Sequence, residues 1–252
     1  MVIIKTDSEI ERLRRGGPVL ARILREVAAA VRPGVTTDEL DTLTRSLMEK
    51  EGVTSAFLGY RPDGADRPYP AALITSVNEE VVHGIPNSRV LKAGDIISLD
   101  TGINFEGVYL DHAVTVPVGE IGAKDKELLS VTEAALEVGI EAAQAGNTTG
   151  DIGHTIQSAI PKKFGIVRTL SGHGVGRAIH EDPYVPNYGR KGKGVKLQSG
   201  MAIAIEPMIT RGSEEVILLD DGYTLVTEDR SRAAHFEHTV LITDEGPEVL
   251  TK

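Results

Sequence analysis

Apolar residues recur at helical spacing near the start of the chain. Ile10, Leu13, Leu20, Ile23, Leu24, Val27 and Val31 form a stripe that predicts a long helix over 7–32, with Asp7 as its cap. Gly16-Gly17-Pro18 interrupts the stripe and is expected to kink or break that helix. A second helix is predicted from Thr37, burying Leu40, Leu43 and Leu47 and ending at Gly52. Short apolar runs at 72–77 and 96–99, and a strand at about 108–118 behind the turn Asn104-Phe105-Glu106-Gly107, read as a sheet. Helical spacing returns at 125–145 and 149–163, and from 166 onward strands and loops dominate. Helices followed by strands, twice over, predict an α+β fold built of two similar halves.

The sequence repeats itself in the same order. Leu91-Lys-Ala-Gly94-Asp-Ile-Ile97-Ser-Leu99-Asp100 aligns with Leu197-Gln-Ser-Gly200-Met-Ala-Ile203-Ala-Ile205-Glu206, and an acid closes each block. Asp111-His112-Ala113-Val114 aligns with Glu237-His238-Thr239-Val240, and Gly34-Val35-Thr36-Thr37 echoes Gly146-Asn147-Thr148-Thr149. A pseudo-twofold arrangement of the halves would bring Asp100, Asp111, Glu206 and Glu237 together.

Composition narrows the chemistry. The chain has 252 residues, no cysteine, and 27 Lys+Arg against 37 Asp+Glu, a net charge of −10. Absence of cysteine excludes disulfides, thiol nucleophiles and Cys-based zinc modules. The acidic balance argues against a general DNA or RNA binder. No signal-peptide core or membrane-spanning apolar run is present, which predicts a soluble cytoplasmic protein with no membrane partner.

Asp100 follows Ile96-Ile97-Ser98-Leu99, and Glu206 follows Met201-Ala-Ile-Ala-Ile205, so both acids end runs expected to be buried. A lone strand acid is usually a surface or bulge residue, but two buried acids at equivalent repeat positions need partners. Two divalent cations would balance four carboxylates. Oxygen-rich ligation with one imidazole suits Co, Mn, Fe or Zn in an open catalytic site. The imidazole is expected from His173 within Ser171-Gly-His173-Gly-Val-Gly176, with His180 close enough to face the same cleft.

These residues resemble those of the type I methionine aminopeptidases, in the pita-bread metallopeptidase superfamily, over essentially the whole chain. The marks are Asn78-Glu79-Glu80-Val81-Val82-His83-Gly84-Ile85-Pro86, the Asp100/Asp111 pair, Gly172-His173-Gly174-Val175-Gly176, His180-Glu181-Asp182-Pro183, Ile205-Glu206-Pro207-Met208 and Phe236-Glu237-His238-Thr239. The resemblance implies one catalytic pita-bread domain over 1–252, with a curved antiparallel sheet backed by helices and halves at about 7–120 and 121–252. It further implies that Asp100, Asp111, His173, Glu206 and Glu237 bind two metal ions, with Asp111 and Glu237 bridging. His83 and His180 would contact substrate, and Glu206 would shuttle a proton to the leaving amine. The implied activity is removal of the N-terminal Met of peptides and nascent chains by a monomeric enzyme.

The chain departs from that pattern in two places. Arg61–Pro68 is longer than the connection common in bacterial members and is expected to border the cleft. Ile179 stands where an aromatic is common, and Tyr223 where Trp is common. The methionine pocket is accordingly expected from Tyr60, Tyr69, Ile74, Ile179 and Tyr223. Strand alternation sends His112 and His238 away from the site, and His154 and His235 are read as structural or exposed. Arg190-Lys191-Gly192-Lys193-Gly194-Val195-Lys196 is either a solvated loop or a transient contact with ribosomal RNA. Two rivals are an Xaa-Pro peptidase of the same superfamily, whose extra N-terminal domain has no room here, and a catalytically silent module, which would be free to lose ligands that all remain.

Overall fold

The computed structural model describes residues 2–62 and 64–252; Asp63, within the long connection after Tyr60, lies outside them. Four helices, α1 (Asp7–Ala30), α2 (Thr37–Glu51), α3 (Ala123–Glu141) and α4 (Thr149–Ala159), back a nine-stranded, curved antiparallel sheet. The path of hydrogen-bonded strands runs Thr54–Ser55, Ile96–Phe105, Val108–Pro117, Glu237–Thr243, Ala202–Ile205, Ser171–Gly174 and Glu181–Pro186, with Ile74–Val77 and Gly246–Val249 paired off it.

Helix ends follow local chemistry. Thr6, not Asp7, caps α1: its hydroxyl accepts from Glu9 N–H while the Glu9 carboxylate accepts from Thr6 N–H. The same box recurs at Thr36/Glu39 before α2 and at Thr148/Asp151 before α4. The expected break at Gly16-Gly17-Pro18 is absent, and α1 runs through Pro18. Those glycines serve close packing instead. A Cβ on Gly16 would lie 2.7 Å from Leu110 Cδ1, and one on Gly17 would lie 2.1 Å from the Leu250 carbonyl oxygen. Tight approach to the sheet and to the C-terminal segment is therefore what holds the helix together past its missing N–H.

Each helix pair covers its own part of the sheet. Leu13, Leu20, Leu24 and Leu40 pack with Ile97, Leu99 and Leu110 in one apolar cluster, whereas Leu128, Leu136, Ile152 and Ile156 pack with Ile203, Ile205 and Val240 in another. The two join where the 108–117 and 237–243 strands pair, with His112 opposite His238 and Ala113 opposite Glu237. The two imidazoles, equivalent in the sequence repeat, stack with centroids 4.6 Å apart and planes 17° apart. They lie where a twofold relating the halves would pass. His112 takes its place by a 2.6 Å contact between Nδ1 and the Glu237 carbonyl. The hairpin 96–117 closes through Glu106 and Gly107, both at positive φ, the two-residue turn that matches strand twist. No helix among the described residues is long and apolar enough to cross a membrane.

Gly17→Ala tests the packing account of α1. The methyl group meets backbone, which cannot step aside as a side chain does, so the variant should lose about 1–3 kcal/mol of stability. An unchanged urea midpoint would show that the helix and the C-terminal segment separate freely.

Candidate metal centre and substrate cleft

The sheet register carries four acids to one cleft. Asp100 lies on the 96–105 strand directly opposite Ile74, and Asp111 two residues from its neighbour Ala113 across the hairpin. Glu237 opens the 237–243 strand opposite Ala113, while Glu206 follows the 202–205 strand. All four are buried, with Asp111 3% and Glu237 2% exposed. His173 joins them from the 171–174 strand, its Nε2 3.5 Å from Glu206 Oε1 and 3.9 Å from Asp111 Oδ2. Its Nδ1 bonds the Gly174 carbonyl at 2.9 Å, which places the proton there and leaves the Nε2 lone pair facing the acids.

Burial governs the protonation of the cluster. Desolvation, and after it repulsion from Glu206, pushes Asp111 up to about 8, and desolvation carries Glu206 to about 8. Asp100 and Glu237 are raised well above the carboxylate range, first by desolvation and then by their acidic neighbours. Desolvation holds the imidazoles neutral, with His173 lowered to about 3 and His83 to about 4. Asp100 Oδ1 and Glu237 Oε1 are buried without a hydrogen-bond partner. Orphaned carboxylate oxygens beside a neutral imidazole fit divalent cations, which supply the missing positive charge. Two triads have donor atoms within 4.8 Å of one another, Asp111/His173/Glu237 and Glu206/His235/Glu237. Glu237 belongs to both.

The second triad contains a residue that reading the sequence assigned to structure or surface. His235 is 1% exposed, with Nε2 3.4 Å from Glu206 Oε2 and 3.9 Å from Glu237 Oε2. The available signal was its spacing of two from Glu237, which puts both side chains on one face of extended chain. The same alternation correctly turned His112 and His238 the other way.

His83 and His180 line the cleft with the acids. His83 is half-buried at φ 61°, an uncommon angle for a residue with a side chain. Its backbone is pinned from the following residue: the Gly84 carbonyl accepts from Thr75 N–H and from the Tyr69 hydroxyl, both at 2.9 Å, and Gly84 N–H donates to Ser76 Oγ at 3.2 Å. His180 is exposed at the mouth, its Nδ1 3.0 Å from the Tyr60 hydroxyl and its ring edge-on to His173 at 4.5 Å. The turn that carries it is fastened from beneath by Glu181, which accepts from Ala178 N–H at 2.9 Å and pairs with buried Lys5 at 2.7 Å. Lys5 crosses the open face of Gly176, where a Cβ would lie 2.2 Å from its Cε.

Tyr60, Tyr69, Ile74 and Tyr223 line the cleft, which has a volume of about 610 Å³. Tyr69 meets Tyr223 edge-on at 5.2 Å. Ile179 is placed otherwise: it is 3% exposed and packs under Gly102, backing the cleft instead of lining it. Burying an isoleucine against a strand that has no side chain there is favoured over exposing it at the rim. The Arg61–Pro68 segment does reach the cleft, through Pro62. It is tied to the Tyr223 turn, with the Tyr223 hydroxyl donating to the Arg67 carbonyl and Arg67 Nη2 to the Asp221 carbonyl at 3.0 Å.

Residues 11–244 match the model of metallopeptidase family M24. The chain is 44% identical to a methionine aminopeptidase of Clostridium perfringens, over all of this chain and 99% of that one. It is similar to the crystal structure of methionine aminopeptidase from Thermotoga maritima, with TM-score 0.95, 47% identity and full coverage of both chains. An Xaa-Pro dipeptidase from Bacillus anthracis shares the fold at TM-score 0.77 and 26% identity, with 99% of this chain covering 62% of that one.

The raised carboxylates set a pH dependence for the metal-free protein. A carboxylate whose folded pKa is raised binds its proton more tightly when folded, so its stabilising effect is lost as pH rises through that folded value. Unfolded histidines are neutral above about 6.5 and drop out of the balance there. Between pH 6.5 and 8, stability without metal should therefore fall, and added Mn or Co should raise the melting temperature more at pH 8 than at pH 6.5. A metal-induced shift that shrinks with rising pH would contradict the buried-acid account.

Proposed function

The chain belongs to metallopeptidase family M24 and within it to the type I methionine aminopeptidases, and we propose that it removes the N-terminal Met from peptides and nascent chains whose second residue is small. It is a metal-dependent aminopeptidase with the pita-bread fold, and divalent metal is its cofactor. The observation that carries the finer reading is the set of four buried acids around His173, with Asp100 Oδ1 and Glu237 Oε1 left without a hydrogen-bond partner. Four carboxylates would balance two divalent ions; as the resemblance implies, Asp111 and Glu237 would bridge them, Asp100 would hold one and His173 and Glu206 the other, and Co, Mn, Fe and Zn all suit such donors. Bound divalent cations supply an acidified water and a polarised carbonyl.

The side chains do the rest. The Met side chain lies among Tyr60, Tyr69, Ile74 and Tyr223, where a flexible thioether fits an apolar slot. Ile74 stands opposite Asp100, so that slot adjoins the acids and sets the free amine beside them. His83 and His180, kept uncharged by partial desolvation at the cleft, donate hydrogen bonds to the oxygen that gains charge and to the scissile amide. Glu206, beside the reacting groups, would relay a proton to the leaving amine, as the resemblance implies. The exposed Arg190, Lys191, Lys193 and Lys196 support a transient contact with ribosomal RNA, and a cytoplasmic monomer suits that substrate.

Hydrolysis of Met-Ala, Met-Leu and Xaa-Pro peptides with added Mn or Co tests this reading. Met-Ala should be cleaved well and the other two poorly, because His83 and His180 crowd the space past the scissile bond. Equal rates on Met-Ala and Met-Leu would remove the size selectivity, and preference for Xaa-Pro would replace the substrate class.

The histidines should separate by role. His173→Ala should lose metal and activity together. By contrast, His83→Ala and His180→Ala should keep their metal and lose on the order of 10²–10³ in kcat, the usual effect of removing one donor to a developing oxyanion. Metal analysis finding His83→Ala depleted and His173→Ala replete would reverse the assignment.

A further inference from the structure

We propose that His235 is a positioning residue of this centre: its Nε2–H donates to Glu206 Oε2 and turns the other oxygen, Oε1, toward His173. This inference rests on the dinuclear reading above and adds a residue to it. Glu206 lies between two imidazoles, with His173 Nε2 3.5 Å from Oε1 and His235 Nε2 3.4 Å from Oε2. The two rings cannot play one role. His173 commits its proton to the Gly174 carbonyl and offers a lone pair. His235 Nε2 instead faces two carboxylate oxygens, those of Glu206 and of Glu237 at 3.9 Å, and is buried with no hydrogen-bond partner. Once metal has displaced the carboxyl protons, a nitrogen set among carboxylate oxygens is satisfied by carrying the hydrogen. The 3.4 Å separation is a few tenths of an ångström beyond a formed bond and closes by a small rotation of Glu206 once a cation holds its other oxygen.

The backbone that carries this ring is fixed. His235 N–H donates to Thr115 Oγ1 at 2.8 Å, and the same hydroxyl donates to the His235 carbonyl at 2.7 Å. Ser98 Oγ completes the chain at 2.8 Å from Thr115 Oγ1. Two strands of the first half thus fix a histidine of the second. Glu206 is steadied from its own backbone, whose carbonyl accepts from Asn187 Nδ2 at 3.0 Å. A carboxylate held at its carbonyl and at one side-chain oxygen has little freedom left except to present the other oxygen to a cation.

Titration calorimetry of Co(II) into metal-free wild type, His235→Leu and His235→Gln, with visible spectra of the Co(II)-loaded proteins, tests the proposal. Leu removes the donor, whereas the Gln amide can supply an N–H to the same oxygen. His235→Leu should bind the ion held by Glu206 about 10–100-fold more weakly, with an altered Co(II) spectrum, and His235→Gln should stay close to wild type in both. Far-UV circular dichroism checks that each variant is folded, and His235→Ala provides a second donorless variant. Wild-type affinity and spectrum in the Leu and Ala variants would overturn the proposal. So would a Gln variant as impaired as Leu, which would make the imidazole nitrogen a direct ligand. A wild type that takes up no pair of ions would overturn the dinuclear reading instead, while the Leu–Gln contrast on whichever ion binds would still decide the role of His235.

Discussion

Four carboxylates buried in one cleft repel one another and have been stripped of water, and the rest of the structure is arranged around that unfavourable fact. Without cations the acids hold protons into the neutral range, and divalent metal would replace those protons without leaving net charge in the cleft. Binding metal and deprotonating the ligands are therefore one event. The neutral imidazoles complete the balance: a charged His173 beside the cluster would compete with the cations for the same oxygens, and burial keeps it uncharged.

Holding such a cluster requires a scaffold that does not yield. The two helix pairs clamp separate apolar clusters onto the sheet, and the acids come from strands on both sides of the join. His112 and His238 stack on the opposite face, where the Glu237 carbonyl contacts the His112 ring. The duplicated histidines that follow Asp111 and Glu237 thus fasten the seam, while the acids before them face the cleft. Period-two alternation separates those jobs along a single strand.

The cleft histidines His83 and His180 are held differently, by turns tied to distant segments. His83 depends on Tyr69, Thr75 and Ser76, which bond the residue after it, and His180 depends on a buried Lys5–Glu181 pair reaching from the N-terminal segment. The long connection after Tyr60 is drawn into the cleft wall through Arg67 and Tyr223. A change in peptide preference in this chain is therefore expected to trace to that wall, since Asp100, Asp111, His173 and Glu237 sit on strands of the sheet.

What was legible in the sequence was whatever depends on local spacing. The apolar stripes marked the helices, and acids ending buried runs marked the acidic cleft, because each follows from periodicity or from the cost of burying charge. Local spacing misled at Gly16-Gly17-Pro18, where propensity predicts a break and close packing against Leu110 and Leu250 keeps the helix whole. It also misplaced Ile179, whose neighbour in space is Gly102, and His235, whose partner Glu206 is far along the chain. Those outcomes were decided by tertiary structure alone, because which side chain fills a gap or faces an acid depends on strands brought together only when the halves close on each other.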